Sequence, residues 1–283
     1  MPGMIRAGFA LLSVLAVLCT PAIGADPLKT MRAFCRVDGL GDRLQPSTWI
    51  KVAPLVTWKV EPAWDQLRLI RGYEMGAPRL REDGVEVEVT YTVSADLKAG
   101  KVLREIRLES RTYRLVTEDE GEHWRIVGPP PVPYLFESEA DVEELSALLA
   151  LDDSSYVSSS AFVWHLLRRD HPDLPYRDTA SLTNAIYLVE TEEPKPGDLA
   201  LYYDGDLPFH VGVVEAEGVV VSATMNAGVW RGPADSFPGT VQYRRVDTDM
   251  IGSTAEDSPM PTAVGTLEPT RIPGAMTPGS ARQ

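Results

Sequence analysis

Between Pro194 and Thr224 the chain reads PKPGDLALYYDGDLPFHVGVVEAEGVVVSAT. Three short apolar runs, Leu199 to Tyr203, Phe209 to Val214 and Val219 to Ala223, are separated by the turn signals Asp204-Gly205-Asp206 and Glu217-Gly218. Runs this short, rich in β-branched residues and bounded by Gly, Asp and Pro, read as antiparallel strands joined by tight turns. The stretch therefore predicts a small sheet, with one imidazole, His210, where its second strand begins. Val241 to Val246 reads as a final strand.

The first half of the chain carries a different strand signal. Val85 to Val93 (VEVEVTYTV) alternates apolar and polar with period two, as a strand buried on one face must. Ile106 to Val116 alternates more weakly, with Ile106, Leu108, Tyr113 and Leu115 as inward candidates, and Trp124 to Val127 closes the set. The polar turns between these runs predict a meander. Leu28 to Cys35 precedes it as a short helix, and Trp49, Ile50, Leu55, Val56 and Trp58 form an apolar patch. A short helix followed by long antiparallel strands resembles the cone-shaped nuclear-transport-factor-like fold. In such cones Trp49, Trp58, Trp64 and Tyr73 would line a pocket or simply fill the core.

The expected organisation is α+β in two domains: a curved-sheet cone over 26–128 and a second domain over 138–247. Residues 129–137, opening with Pro129-Pro130-Pro131, read as a semi-rigid linker. Helices are expected from Ser138 to Leu151 and from Ser158 to Asp170. The stretch 248–283 is rich in Pro, Thr, Ser and Gly, too poor in apolar residues to order itself, and reads as a disordered tail.

The C-terminal half resembles the NlpC-type cell-wall peptidases, a papain-like family that cuts peptidoglycan stem peptides. The resemblance rests on PGDL (Pro196 to Leu199), HVGVV (His210 to Val214), the strand ending near Ser222, and Ser158-Ser159-Ser160-Ala161-Phe162-Val163 in place of the family's Asp-Cys-Ser-Gly-Phe-Val. It implies a papain-like fold with three catalytic positions. Ser159 stands where the nucleophilic cysteine belongs, His210 keeps the base, and Ser222 replaces the orienting residue twelve positions on. A serine hydroxyl has a far higher pKa than a thiol, so it depends wholly on a well-held general base. Asn226 is a candidate substitute orienter, and Tyr202, Asp206 and Asn226 are candidate ligand contacts. Two functions stay open: a non-catalytic protein binding stem peptides or a cell-envelope partner, and an active endopeptidase or amidase using Ser159 and His210. A scaffold role for both domains is a third.

Residues 1–25 look like a secretory signal, with Arg6 as the positive end, Ala7 to Leu18 as the apolar core and small residues at Ala22 to Ala25. Export to the periplasm or beyond is therefore expected, with no transmembrane segment in the mature chain. Removing that segment leaves one cysteine, Cys35, so no intrachain disulfide is possible. The formal net charge of −14 disfavours nucleic acid as a partner. His123, His165 and His171 show no metal-ligand spacing with a carboxylate or cysteine, and neither metal nor cofactor is expected. Asp198, Asp204 and Asp206 read as turn formers.

Overall fold

The computed structural model describes residues 26–98, 100–117, 122–140, 142–143, 145 and 158–254. The signal-like segment, the tail beyond 254 and most of the helix expected at 138–151 lie outside the described residues. The architecture is α+β: a curled sheet like half a barrel, and a second sheet carrying its own helices.

Helix α1 (Pro27–Gly39) starts where Asp26 accepts a hydrogen bond from the Leu28 amide at 2.9 Å, with proline at its first position. Met31, Phe34 and Cys35, at helical spacing, bury its inner face. Short helical turns follow, among them α2 (Trp49–Val52). The first sheet comprises β1 (Gln66–Met75), β2 (Arg79–Arg81), β3 (Gly84–Lys98), β4 (Lys101–Thr117), β5 (Trp124–Ile126) and β6 (Tyr134–Phe136). Its order is β5-β4-β3-β1-β6, with β2 paired to β3. All pairs are antiparallel except β1 with β6.

The long strands change their buried face part-way along. Val85, Val87, Val89, Tyr91 and Val93 pack with α1, whereas Ala95 and Leu97 pack in a different cluster with residues of the second sheet. The switch falls where register shifts interrupt the ladder, between Val93 and Ala95 on β3 and between Leu69 and Gly72 on β1. An extra residue in a strand advances the alternation by one and turns the next side chain to the other face. Two inward assignments are corrected. Tyr113 and Leu115 are buried opposite Val87 and Val85. Leu108, opposite Thr92, lies an odd number of residues from them and faces the other side, and Ile106 falls in the shift opposite Val93 to Ala95, so both are exposed. Trp58 and Trp64 are buried in the core, and Trp49 and Tyr73 pack partly buried against it.

The second sheet is antiparallel throughout, in the order β11-β10-β9-β8-β12-β7. It contains β7 (Leu188–Thr191), β8 (Leu199–Asp204), β9 (Leu207–Ala216), β10 (Val219–Thr224), β11 (Gly228–Pro233) and β12 (Thr240–Val246). Helices α3 (Ser159–Leu167) and α4 (Thr179–Leu182) precede it and contribute Phe162, Val163 and Leu182 to the cluster shared with Leu199, Leu201, Val211 and Ala223. Asp198 shapes its turn by accepting from the Lys195 amide and holds Arg245 of β12 through both carboxylate oxygens.

The stretch 129–137 is built into the first sheet and does not stand free of it as a bare spacer would. Pro131 is buried, Tyr134–Phe136 is a strand of the first sheet, and the Pro131 carbonyl accepts from Arg43 at 2.6 Å. The proline signal is local, while the partners that bind this backbone lie up to 96 residues away, such as Asp38, which accepts from the Tyr134 amide. One apolar cluster also runs through both sheets, from Trp64, Leu67 and Leu97 to Leu199 and Val211. Limited proteolysis of the native protein is therefore expected to spare residues 129–137. Fragment masses showing an early cut there, with both halves persisting, would restore the linker.

Candidate functional site

Ser158 caps α3. Its backbone is extended, and its Oγ accepts from the Ala161 amide at 3.1 Å while donating to Asp65 Oδ1 at 2.6 Å. Ser160 bonds the Tyr176 hydroxyl at 2.9 Å. Asp65 Oδ2 also accepts from the Thr179 amide at 2.7 Å, so one carboxylate anchors the starts of both α3 and α4. Negative charge at helix N-termini is favourable. Nothing near Asp65 in sequence announced this, since its partners lie some 93 to 114 residues on.

Ser159 is the first residue of α3, as the resemblance implied, and it is fully buried with no hydrogen-bond partner for its hydroxyl. His210 and Ser222 meet: Ser222 Oγ lies 2.9 Å from His210 Nε2 and donates its proton to the Val211 carbonyl at 2.7 Å. A serine has one proton to give, so Nε2 must carry hydrogen and donate to Ser222. The remaining ring nitrogen, Nδ1, is buried and has no partner. Burial pushes the imidazole down to about 3, which keeps it neutral.

Ser159 does not join this pair. On α3 it shares a face with Phe162 and Val163, which pack in the cluster containing Val211 and Ala223. Alternation along β9 and β10 turns His210 and Ser222 to the opposite face of the sheet. There the imidazole packs on Phe237 at 4.1 Å and Tyr202 at 5.6 Å between ring centroids. The strand pattern was legible in the sequence, but not the face of the sheet on which α3 lies.

The other candidate contacts scatter. The Tyr202 hydroxyl is buried without a partner among those aromatic rings. Asp206 is exposed in the β8–β9 turn. Asn226 is a tie between segments: its Oδ1 accepts from the Glu61 amide at 3.0 Å and its Nδ2 donates to the Lys59 carbonyl at 2.9 Å. It orients no imidazole.

A cleft of about 270 Å³ opens between the two sheets. Gln66 and Arg68 of β1, Lys98 of β3, and Glu109 and Arg111 of β4 line one side. The β8–β9 hairpin, with Asp204 and Phe209, and the start of α4, with Asp178 and Thr179, line the other. None of Ser159, His210 and Ser222 lines it. Sequence reading missed Arg68, Arg111 and Thr179, which lie in three separate elements with no shared motif.

No protein-family model matches the chain, and no curated protein matches it. Among the described residues no helix is long and apolar enough to cross a membrane, and no three His, Cys, Asp or Glu side chains gather as metal ligands would.

Proposed function

We propose that this chain is a non-catalytic binding protein of the cell envelope that recognises peptidoglycan stem peptides. Export rests on the signal-like residues 1–25, and the target class rests on the PGDL and HVGVV segments. The observation that carries the non-catalytic part is the separation of Ser159 from His210. A serine nucleophile needs a general base within hydrogen-bond reach, and both the Ser159 hydroxyl and His210 Nδ1 are buried without a partner. A base with a pKa near 3 is also too weak to take a serine proton at neutral pH.

The test is incubation of purified protein with isolated peptidoglycan, followed by mass spectrometry of the supernatant and by co-sedimentation. The protein is expected to sediment with the sacculi and to release no stem-peptide fragments. Ser159→Cys together with Ser222→His is expected to remain inactive, because the two residues occupy opposite faces of the sheet. Fragments released by the wild type and lost in Ser159→Ala would make the chain a serine hydrolase instead.

A further inference from the structure

Among the described residues, two ion pairs cross the cleft between the sheets. Lys98 Nζ reaches Asp178 Oδ2 at 2.5 Å, and the Asp178 side chain, only 10 % exposed, is pinned further by the Ser181 amide. Arg111 reaches Asp204 at 2.9 Å, with side chains 28 % and 41 % exposed. A pair this wet contributes little stability and opens easily. Thr179, 3 % exposed, also lines the cleft, and its hydroxyl is buried with no hydrogen-bond partner. A buried hydroxyl left unpaired is costly, so its place in a cleft marks a position for a polar occupant. Trp64 and Phe209 add aromatic surface.

We infer that this cleft binds a short zwitterionic peptide of two or three residues by opening the Arg111–Asp204 pair. The peptide carboxylate takes the Arg111 guanidinium, its ammonium takes Asp204, and a backbone amide takes the Thr179 hydroxyl. A volume of about 270 Å³ lies at the small end of ligand pockets and admits nothing much longer. The charges around the cleft select the dipolar ligand. A simple anion at Arg111 meets repulsion from Asp204 beside it, while Glu109 and Asp178 are already paired with Arg68 and Lys98. A simple cation at Asp204 meets repulsion from Arg111 beside it. A ligand carrying both charges exchanges one ion pair for two and avoids either repulsion.

This inference rests on the binding function proposed above and gives it a location. The experiment is calorimetric titration of the whole protein with trialanine, N-acetyl-trialanine and trialanine amide. Trialanine is expected to bind, and blocking either end is expected to weaken binding at least tenfold. Arg111→Ala and Asp204→Ala remove half-exposed side chains, and each should weaken trialanine binding at least tenfold. Asp204→Ala should leave N-acetyl-trialanine unaffected or tighter, because that ligand has no ammonium to lose. Blocked peptides that bind as well as the free one would overturn the site. Absence of trialanine binding by a protein that still sediments with sacculi would also overturn it, while leaving the non-catalytic binding function standing. Failure of both assays would remove the function as well.

Discussion

Replacing Arg43 by methionine is expected to destabilise the fold by about 3–5 kcal/mol, the usual consequence of breaking a buried ion pair from one side. Arg43, Asp38 and Glu61 have almost no exposed side-chain surface. The Arg43 guanidinium donates to Glu61 Oε1 from Nε at 3.1 Å and from Nη2 at 2.6 Å, to Asp38 from Nη1 at 3.1 Å, and to the Pro131 carbonyl. Glu61 is further held by the indole N–H groups of Trp64 and Trp58, at 2.9 and 2.8 Å. The network joins α1, the segment leading into β1 and the strand approach at 131–134. Methionine fills much of the volume but leaves two buried carboxyls without their cation. Burial already pushes the Asp38 carboxyl up to about 6, with Arg43 pulling it back down. Urea unfolding at neutral pH measures the cost. In a double-mutant cycle Glu61→Gln should recover part of it, since the glutamine needs no countercharge. A loss below about 1 kcal/mol for Arg43→Met would mean the network contributes no more than a surface pair.

The second large effect is an acid sensitivity located at His210. Its imidazole takes a proton near 6.5 in the unfolded chain but only near 3 in the folded one. Between those values the unfolded state holds more protons, so this group's contribution is fully present above pH 6.5 and falls away as pH drops towards 3. At pH 4 the loss is about 3 kcal/mol. Asp38 acts in the opposite sense. Its carboxyl holds a proton up to about pH 6 when folded and up to 3.8 when unfolded, so stability from this group grows as pH falls through that window. The wild-type pH curve mixes the two, and the difference between variants separates them. His210→Phe keeps an aromatic ring beside Phe237 and Tyr202 and leaves Ser222 its bond to the Val211 carbonyl. Near pH 7 its urea midpoint should lie close to that of the wild type, and at pH 4 well above it. An equal offset at both pH values would show that His210 is not the acid-sensitive group.

Local patterns carried much of the fold. The VEVEVTYTV alternation lies within β3, and the three runs after Pro196 lie within β8, β9 and β10, because period and turn chemistry act over a few residues. The start of α3 was legible from Ser158, since capping too is local. What sequence reading missed depends on distant partners. Pro129 to Pro133 reads as a spacer until Arg43 and Asp38 claim the backbone around it. Asn226 resembles a site residue until the Glu61 amide and the Lys59 carbonyl occupy it. Ser159 and His210 are parted by a single choice, the side of the sheet that receives α3. Hydrophobic period cannot decide that when both faces are buried, and here Val211 and Val214 serve one face each.

The face switch near Ser94 gives β3 two reading frames. Residues before it are in frame with α1, and those after it are in frame with the second sheet. Ser94 sits at the frameshift, its hydroxyl bonded to the Leu69 carbonyl at 3.3 Å, and the partner strands shift beside it. Ser94 is the extra residue opposite the Leu69–Ile70 step, so the pairing around it already absorbs a change of length. Deleting one residue between Val85 and Val93 instead would carry the side chains on one side of the gap to the wrong face, with little change in composition or propensity. Chain length in this strand is thus a more stringent constraint on inheritance than residue identity. Substitutions along β3 can drift singly, while insertions and deletions in its regularly paired part, Val85 to Val93, must arrive together with compensating ones on β1 and β4.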